Sequence, residues 1–158
     1  MIRVFIKPCG RTYKEEHKAA YELLDAATAL LGLRGGKIAR TPEGKPYFTD
    51  SPETFFSISH GGGYAVVAVG DSPCGVDAET DRPLSEKMRA RFLGGVSEEN
   101  GILAWTMRES KGKLLGGGFF DTDETASVSF KVYRYKGLTV TLCTYSGTEV
   151  SEKIEELG

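Results

Sequence analysis

A chain of 158 residues, 40% hydrophobic and 27% charged, can bury one substantial core, or two small lobes sharing one. Its net charge of −2 offers no overall attraction to nucleic acid or to an acidic membrane, so an anionic ligand must be met by a local basic cluster. Cys9, Cys74 and Cys143 are odd in number and lack metal-site spacing, which suits small buried hydrophobes in a reducing compartment rather than disulfides or a zinc site.

In chain order, residues 2–6 read as an opening strand. Thr12 and Glu15 form a capping box before a long helix, in which Ala20, Leu23, Leu24, Ala27, Leu30 and Leu31 make one apolar stripe. Gly32, Gly35 and Gly36 end it. A turn-rich segment, Thr41 to Pro46, precedes an extended stretch from Phe55 to Ser59, and Gly61-Gly62-Gly63 turns the chain. The nearly continuous apolar run from Tyr64 to Gly70 predicts a central strand buried on both faces. Gly75 to Glu79 is a short strand ending in paired acids.

Asp81-Arg82-Pro83 marks the expected boundary between an N-terminal lobe, 1–80, and a C-terminal lobe, 81–158. A short helix is predicted over 85–93, then a helix capped by Ser97 running from about 98 to Leu115. Strands at Ser127–Tyr135 and Leu138–Tyr145 form a hairpin on Lys136-Gly137, and Val150 to Leu157 reads as a short strand or frayed turn. Each half is helix plus antiparallel strands, so the fold class expected is α+β with two similar lobes. Arg3 and Lys7 interrupt the N-terminal apolar stretch, and Ala65 to Val69 is too short to span a bilayer. A soluble, cytoplasmic protein is expected, with no nucleic acid and no membrane among its partners.

Asp77 and Glu79 stand at i and i+2, where an extended strand turns both side chains to one face. Trp105, Glu109 and Lys113 form one ridge of the later helix, with Arg108 beside it. Trp105 suggests that this ridge packs inward, and Gly112 leaves room next to it for a ligand. If strand and helix meet, three carboxylates and one or two cations converge, which is how proteins hold a divalent metal on a polyphosphate. Taken singly, each feature has an ordinary reading: a solvated strand end, an i, i+4 ion pair, a satisfied His60, a turn at Gly44-Lys45-Pro46. The three glycines after His60 match neither a Walker loop nor a dinucleotide fingerprint, although their N–H groups suit an anion.

Taken together, the order Gly44-Lys45-Pro46, Phe56-Ser57-Ile58-Ser59-His60, Gly75-Val76-Asp77-Ala78-Glu79 and Trp105-Thr106-Met107-Arg108-Glu109-Ser110 with Lys113 resembles the 4′-phosphopantetheinyl transferases, in particular the surfactin-synthetase-activating type. The resemblance covers roughly residues 40–118. It implies Mg²⁺-dependent transfer of the 4′-phosphopantetheine arm of coenzyme A to a serine of an acyl or peptidyl carrier protein, releasing adenosine 3′,5′-bisphosphate. It would make Asp77, Glu79 and Glu109 the Mg²⁺ ligands and Lys113 a pyrophosphate contact. Ser59 and His60 would touch the coenzyme, His60 on phosphate. Gly44, Lys45 and Pro46 would line the adenine and 3′-phosphate end, where Lys18 would also reach the 3′-phosphate. The serine proton would pass to Glu109, directly or through a metal-bound water.

Against the family pattern, Arg108 replaces a usual lysine, the stretch from Phe92 to Trp105 is short, and basic residues near the N-terminus are sparse, leaving Arg11 and Lys14. With both halves in one chain, a monomer is the expected active form. Two alternatives stand beside transfer: a non-catalytic relative that binds coenzyme A or a carrier protein, and a different Mg²⁺-dependent enzyme acting on another pyrophosphate.

Overall fold

A computed structural model describes residues 1–158. In chain order the elements are β1 (Ile2–Pro8), α1 (Tyr13–Leu31), β2 (Ile38–Arg40), β3 (Pro46–Phe48), β4 (Phe55–Gly61), β5 (Tyr64–Gly70), β6 (Cys74–Thr80), α2 (Glu86–Phe92), α3 (Gly101–Leu115), β7 (Val128–Tyr135), β8 (Leu138–Tyr145) and β9 (Val150–Glu156). The strands form a sheet in the order β4-β5-β1-β9, a second in the order β6-β8-β7, and a small β2-β3 hairpin. The expected α+β class holds.

Period-2 alternation sorts the first sheet into two apolar faces. Phe5, Phe56, Ala65, Val67 and Val69 meet the stripe of α1, Ala19, Ala20, Leu23, Leu24 and Ala27. Each fully buried leucine there contributes about 1.5–3 kcal/mol. The other face, with Ile2, Val4, Ile6, Val66 and Ala68, packs on Cys74, Val76 and Ala78 of β6 and Leu138, Val140 and Leu142 of β8. Helix α3 covers the outer face of the second sheet against β6 and β8, where the Thr106 and Thr141 hydroxyls hydrogen-bond at 2.8 Å. The layers are thus helix, sheet, sheet, helix. Strand β5 is buried on both faces, as its unbroken apolar run predicts: Ala65 to Val69 are fully inaccessible.

Helix α1 starts on Thr12, whose hydroxyl accepts from the Glu15 N–H at 3.1 Å, and stops at Gly32 in the left-handed region. Leu30, expected in the stripe, is exposed on the last turn. The hairpin between β4 and β5 turns on Gly62 and Gly63 at φ +62° and +84°, values that favour glycine at both positions. No helix is long and apolar enough to cross a membrane.

Strand pairing crosses the expected boundary after residue 80. Strand β6 pairs with β8 in the second sheet, because its apolar face, Cys74, Val76 and Ala78, is needed between the sheets. Strand β9 returns to the first sheet and runs parallel to β1, so the strands are not all antiparallel. Tyr133 helps hold it there by donating to Ser151 O at 2.7 Å.

Helix α3 lies directly on β6. A Cβ at Gly75 would stand 2.0 Å from Ser110 O and 2.5 Å from Leu114 N, backbone atoms that cannot rotate away. Gly75→Ala is expected to destabilise the fold by about 1–3 kcal/mol or more through overpacking, read as a lower urea midpoint. An unchanged midpoint would contradict this packing.

Candidate active site

The edges of the two sheets, β4 and β6, lie alongside one another, and side chains rather than a backbone ladder join them. Ser57 Oγ accepts from Val76 N–H at 3.0 Å, and Ser59 Oγ accepts from Ala78 N–H at 3.1 Å. Lys113, reaching down from α3, donates to Ile58 O at 3.1 Å and Val76 O at 2.9 Å. An edge strand's free backbone groups would otherwise be open to mispairing. Here they are closed by two hydroxyls and one ammonium.

The alternation of Phe56-Ser57-Ile58-Ser59-His60 has a simple basis. Its serines turn to the seam, while Phe56 and Ile58 turn to α1. His60 follows that second face. Its ring lies edge-on to Tyr13, with centroids 5.1 Å apart, and 6.0 Å from the ring of His17. Glu16, 7% exposed, belongs to no motif, yet it faces the same point. Its Oε2 accepts from Gly63 N–H at 3.0 Å, and its Oε1 lies 3.9 Å from His60 Nδ1. The only sequence signal for it was its place one turn before Ala20 on the buried side of α1.

Asp77 and Glu79 share the outward face of β6, as their spacing predicts. Asp77 Oδ1 lies 3.4 Å from both Lys113 Nζ and Ser59 Oγ. Its Oδ2 is buried with no hydrogen-bond partner. Burial, reinforced by the negative charges of Glu109 and Glu79 and opposed by Lys113, pushes the Asp77 carboxyl up to about 6. Burial likewise raises Glu109, with Glu79 adding and Lys113 and Arg108 opposing. His60 is held below the usual imidazole range by burial, assisted by His17 and Lys113, while Glu16 pulls the other way. Glu16→Gln is therefore expected to lower the His60 pKa further, measured by imidazole NMR titration. An unmoved midpoint would separate the two side chains electrostatically.

The Trp105–Glu109–Lys113 ridge runs along the half-buried flank of α3. The buried positions are Gly101, Ile102, Thr106, Ser110, Gly112 and Leu114. The three carboxylates sense one another, but no group of three His, Cys, Asp or Glu side chains is gathered at metal-holding distance. Glu79 is paired with Arg82 at 3.0 Å. The set nonetheless fits a hard divalent cation in kind, offering oxygen donors only, mutual repulsion and one buried carboxylate oxygen without a partner.

Two hollows adjoin the seam. One, of about 280 Å³, is lined by residues including Tyr13, His17, Ser59, His60 and Asp77; the other, of about 250 Å³, by residues including Gly44, Lys45, Pro46 and Ser57. Arg40, Ile58 and Lys113 belong to both. Seven of the expected coenzyme and metal residues meet here: Gly44, Lys45, Pro46, Ser59, His60, Asp77 and Lys113. Glu79 and Glu109 act on the same point through their charge.

Three expectations change in detail. Lys18 is not part of either hollow; it is 78% exposed and 3.7 Å from Glu22. The Lys45 ammonium donates to Cys74 O at 2.9 Å and to the backbone carbonyl of Lys113, and burial lowers its pKa. Gly112 lines the second hollow as expected, although a Cβ there would lie 2.1 Å from Gly118 O of the returning chain. Arg108 faces neither hollow: its guanidinium donates to Phe119 O at 3.0 Å and to Phe92 O, and it lies over the Phe119 ring.

No protein-family model matches the chain. Among curated proteins it is 33% identical over 88 residues to the 4′-phosphopantetheinyl transferase Sfp of Bacillus subtilis strain 168, a match covering 48% of this chain and 39% of that protein. It is 32% identical over 88 residues to the 4′-phosphopantetheinyl transferase psf-1 of Bacillus pumilus, covering 48% and 37%. A further 4′-phosphopantetheinyl transferase of Bacillus subtilis is 32% identical over 101 residues, covering 56% and 45%. The chain is similar to 4′-phosphopantetheinyl transferases, and the matches span less than half the length of these relatives.

Proposed function

We propose that this chain transfers the 4′-phosphopantetheine group of coenzyme A to a serine hydroxyl of an acyl or peptidyl carrier protein, releasing adenosine 3′,5′-bisphosphate. The observation that carries the reading is the Lys113–Asp77 seam. It sets an ammonium and an unpartnered buried carboxylate oxygen at the junction of two hollows, beside His60.

In this reading the pyrophosphate lies at Lys113 and His60, the charge of the ammonium and an imidazole N–H offsetting the charge that repels a nucleophile. Asp77, Glu79 and Glu109 would hold Mg²⁺, which when bound supplies further positive charge to the pyrophosphate. The carrier serine oxygen forms a bond to the phosphorus of the pantetheine phosphate, and the bond from that phosphorus to the bridging oxygen breaks. The bisphosphate leaves with the electron pair. Glu109 would take the serine proton, directly or through a water. Glu16 Oε1, 3.9 Å from His60 Nδ1, favours the doubly protonated ring, whose Nε2–H can donate to phosphate. Because α1, β4, β6 and α3 of one chain supply every group named, a monomer suffices.

The test is mass spectrometry of a panel of apo carrier proteins incubated with the chain, coenzyme A and Mg²⁺. A gain of one phosphopantetheine on at least one carrier is expected. Coenzyme A binding with no gain on any carrier would instead establish a non-catalytic binding relative.

A further inference from the structure

Two acids of the site already face a cation, and the two pairs are built differently. Asp77 faces Lys113, whose ammonium is fixed by Ile58 O and Val76 O. Glu79 faces Arg82, three residues further along the chain. The Arg82 Nη1 donates to Glu79 Oε2 at 3.0 Å, and Thr80 O and Thr80 Oγ1 lie 3.2 Å from the same nitrogen. All of these partners sit within three residues of Arg82.

The turn after β6 puts Arg82 there. Asp81 N–H donates to Gly137 O at 2.8 Å, and the Asp81 carboxylate accepts from the Thr139 hydroxyl. Pro83 restricts the backbone of the residue before it to extended values. A pinned Asp81 and a restricted Arg82 return the guanidinium to the last acid of the strand. The Arg82 and Glu79 side chains are 49% and 28% exposed, and an ion pair open to water costs little to break. Arg82 also lines a hollow of about 640 Å³ whose wall includes Glu98 and Glu99, so a freed guanidinium has room and carboxylates to meet. Lys113 is locked across the seam, whereas Arg82 can leave.

The pair bears on why the acids are not gathered at metal-holding distance. A hard cation draws its oxygen ligands to about 2.0–2.6 Å, and a carboxylate oxygen held by a guanidinium is turned away from that point. We infer that Arg82 is a displaceable placeholder for the divalent cation: it neutralises Glu79 before the metal arrives, and the metal must take Glu79 from it. Arg82 is thus a positioning residue that acts through Glu79. The inference rests on the reading of Asp77, Glu79 and Glu109 as the metal ligands.

Mn²⁺ binding, followed by electron paramagnetic resonance of the free ion, tests this without any transfer. Arg82→Gln is expected to bind Mn²⁺ about twofold to fivefold more tightly than the wild type, the worth of one exposed ion pair. Added to Glu79→Gln, the same substitution should leave the affinity unchanged, because its route is through Glu79. An affinity of Arg82→Gln equal to the wild type, or the same gain in the Glu79→Gln background, overturns the placeholder.

Asp77→Asn and Glu79→Gln separate this inference from the reading beneath it. Weaker Mn²⁺ binding in both, without a gain in Arg82→Gln, leaves the metal site standing and removes only the placeholder. Wild-type Mn²⁺ binding in both variants, or no binding by any of these proteins, removes the metal site and the placeholder together.

Discussion

Asp77→Asn is expected to abolish phosphopantetheine transfer while leaving the protein folded and, at neutral pH, more stable than the wild type. The Asp77 carboxyl has its pKa pushed from 3.8 up to about 6 by burial and by the charges of Glu109 and Glu79. A carboxyl with a raised folded pKa stabilises the fold fully below its unfolded pKa, and that contribution is lost as pH rises through about 6. Above that pH the ionised side chain costs on the order of 3 kcal/mol.

Asparagine removes that cost, keeps the shape and still offers an oxygen to Lys113. The melting temperatures of variant and wild type should therefore diverge as pH is raised from about 4 to 7, with the variant higher. A variant that transfers at the wild-type rate would remove Asp77 from the chemistry. A melting difference independent of pH would show that its charge carries no penalty. An acid retained at such a cost is expected where its function needs the charge.

Lys113→Met should lose both activity and stability. Lys113 serves two carbonyls on opposite sides of the seam and the Asp77 carboxylate. Its removal leaves them without a donor and the acid without its opposing charge, a loss of about 3–5 kcal/mol for breaking a buried pair from one side. Transfer should fall at least on the order of a hundredfold. Because Asp77 ionises less readily without Lys113, its pKa in the variant lies above about 6, and the stability deficit should shrink as pH falls toward about 6. Denaturant titration at two pH values reads this directly. A deficit that is the same at both would mean that Lys113 acts through the carbonyls alone.

The difference between these variants shows how much of the site could be read along the chain. The common face of Asp77 and Glu79, the helix bearing Glu109 and Lys113, and the placement of His60 at a glycine turn all follow from local periodicity, which short-range sterics enforce. The purpose of Ser57 and Ser59 does not, because it depends on a second strand edge lying opposite. The resemblance implied that Lys18 reaches the 3′-phosphate and that Lys45 lines the adenine and 3′-phosphate end. Lys18 turns instead to the Glu22 side of α1, and the Lys45 ammonium is satisfied by backbone carbonyls, one of them belonging to Lys113. Glu16 and Arg40 carried no motif, and only packing brings Glu16 to His60 and Arg40 to the Tyr21 hydroxyl.

Sequence alone determined the α+β class, the double burial of β5, the hairpin glycines and the principal acid–cation set, since each rests on interactions a few residues apart. Tertiary structure decided that β6 pairs with β8, that β9 returns parallel to β1, and that Lys113 closes a seam between two sheet edges. It also decided which cations remain free for a ligand. These outcomes come from burial and from satisfying backbone and charged groups that lie far apart in the chain, such as Ile58, Val76 and Lys113. Such groups acquire partners only once the layers are packed.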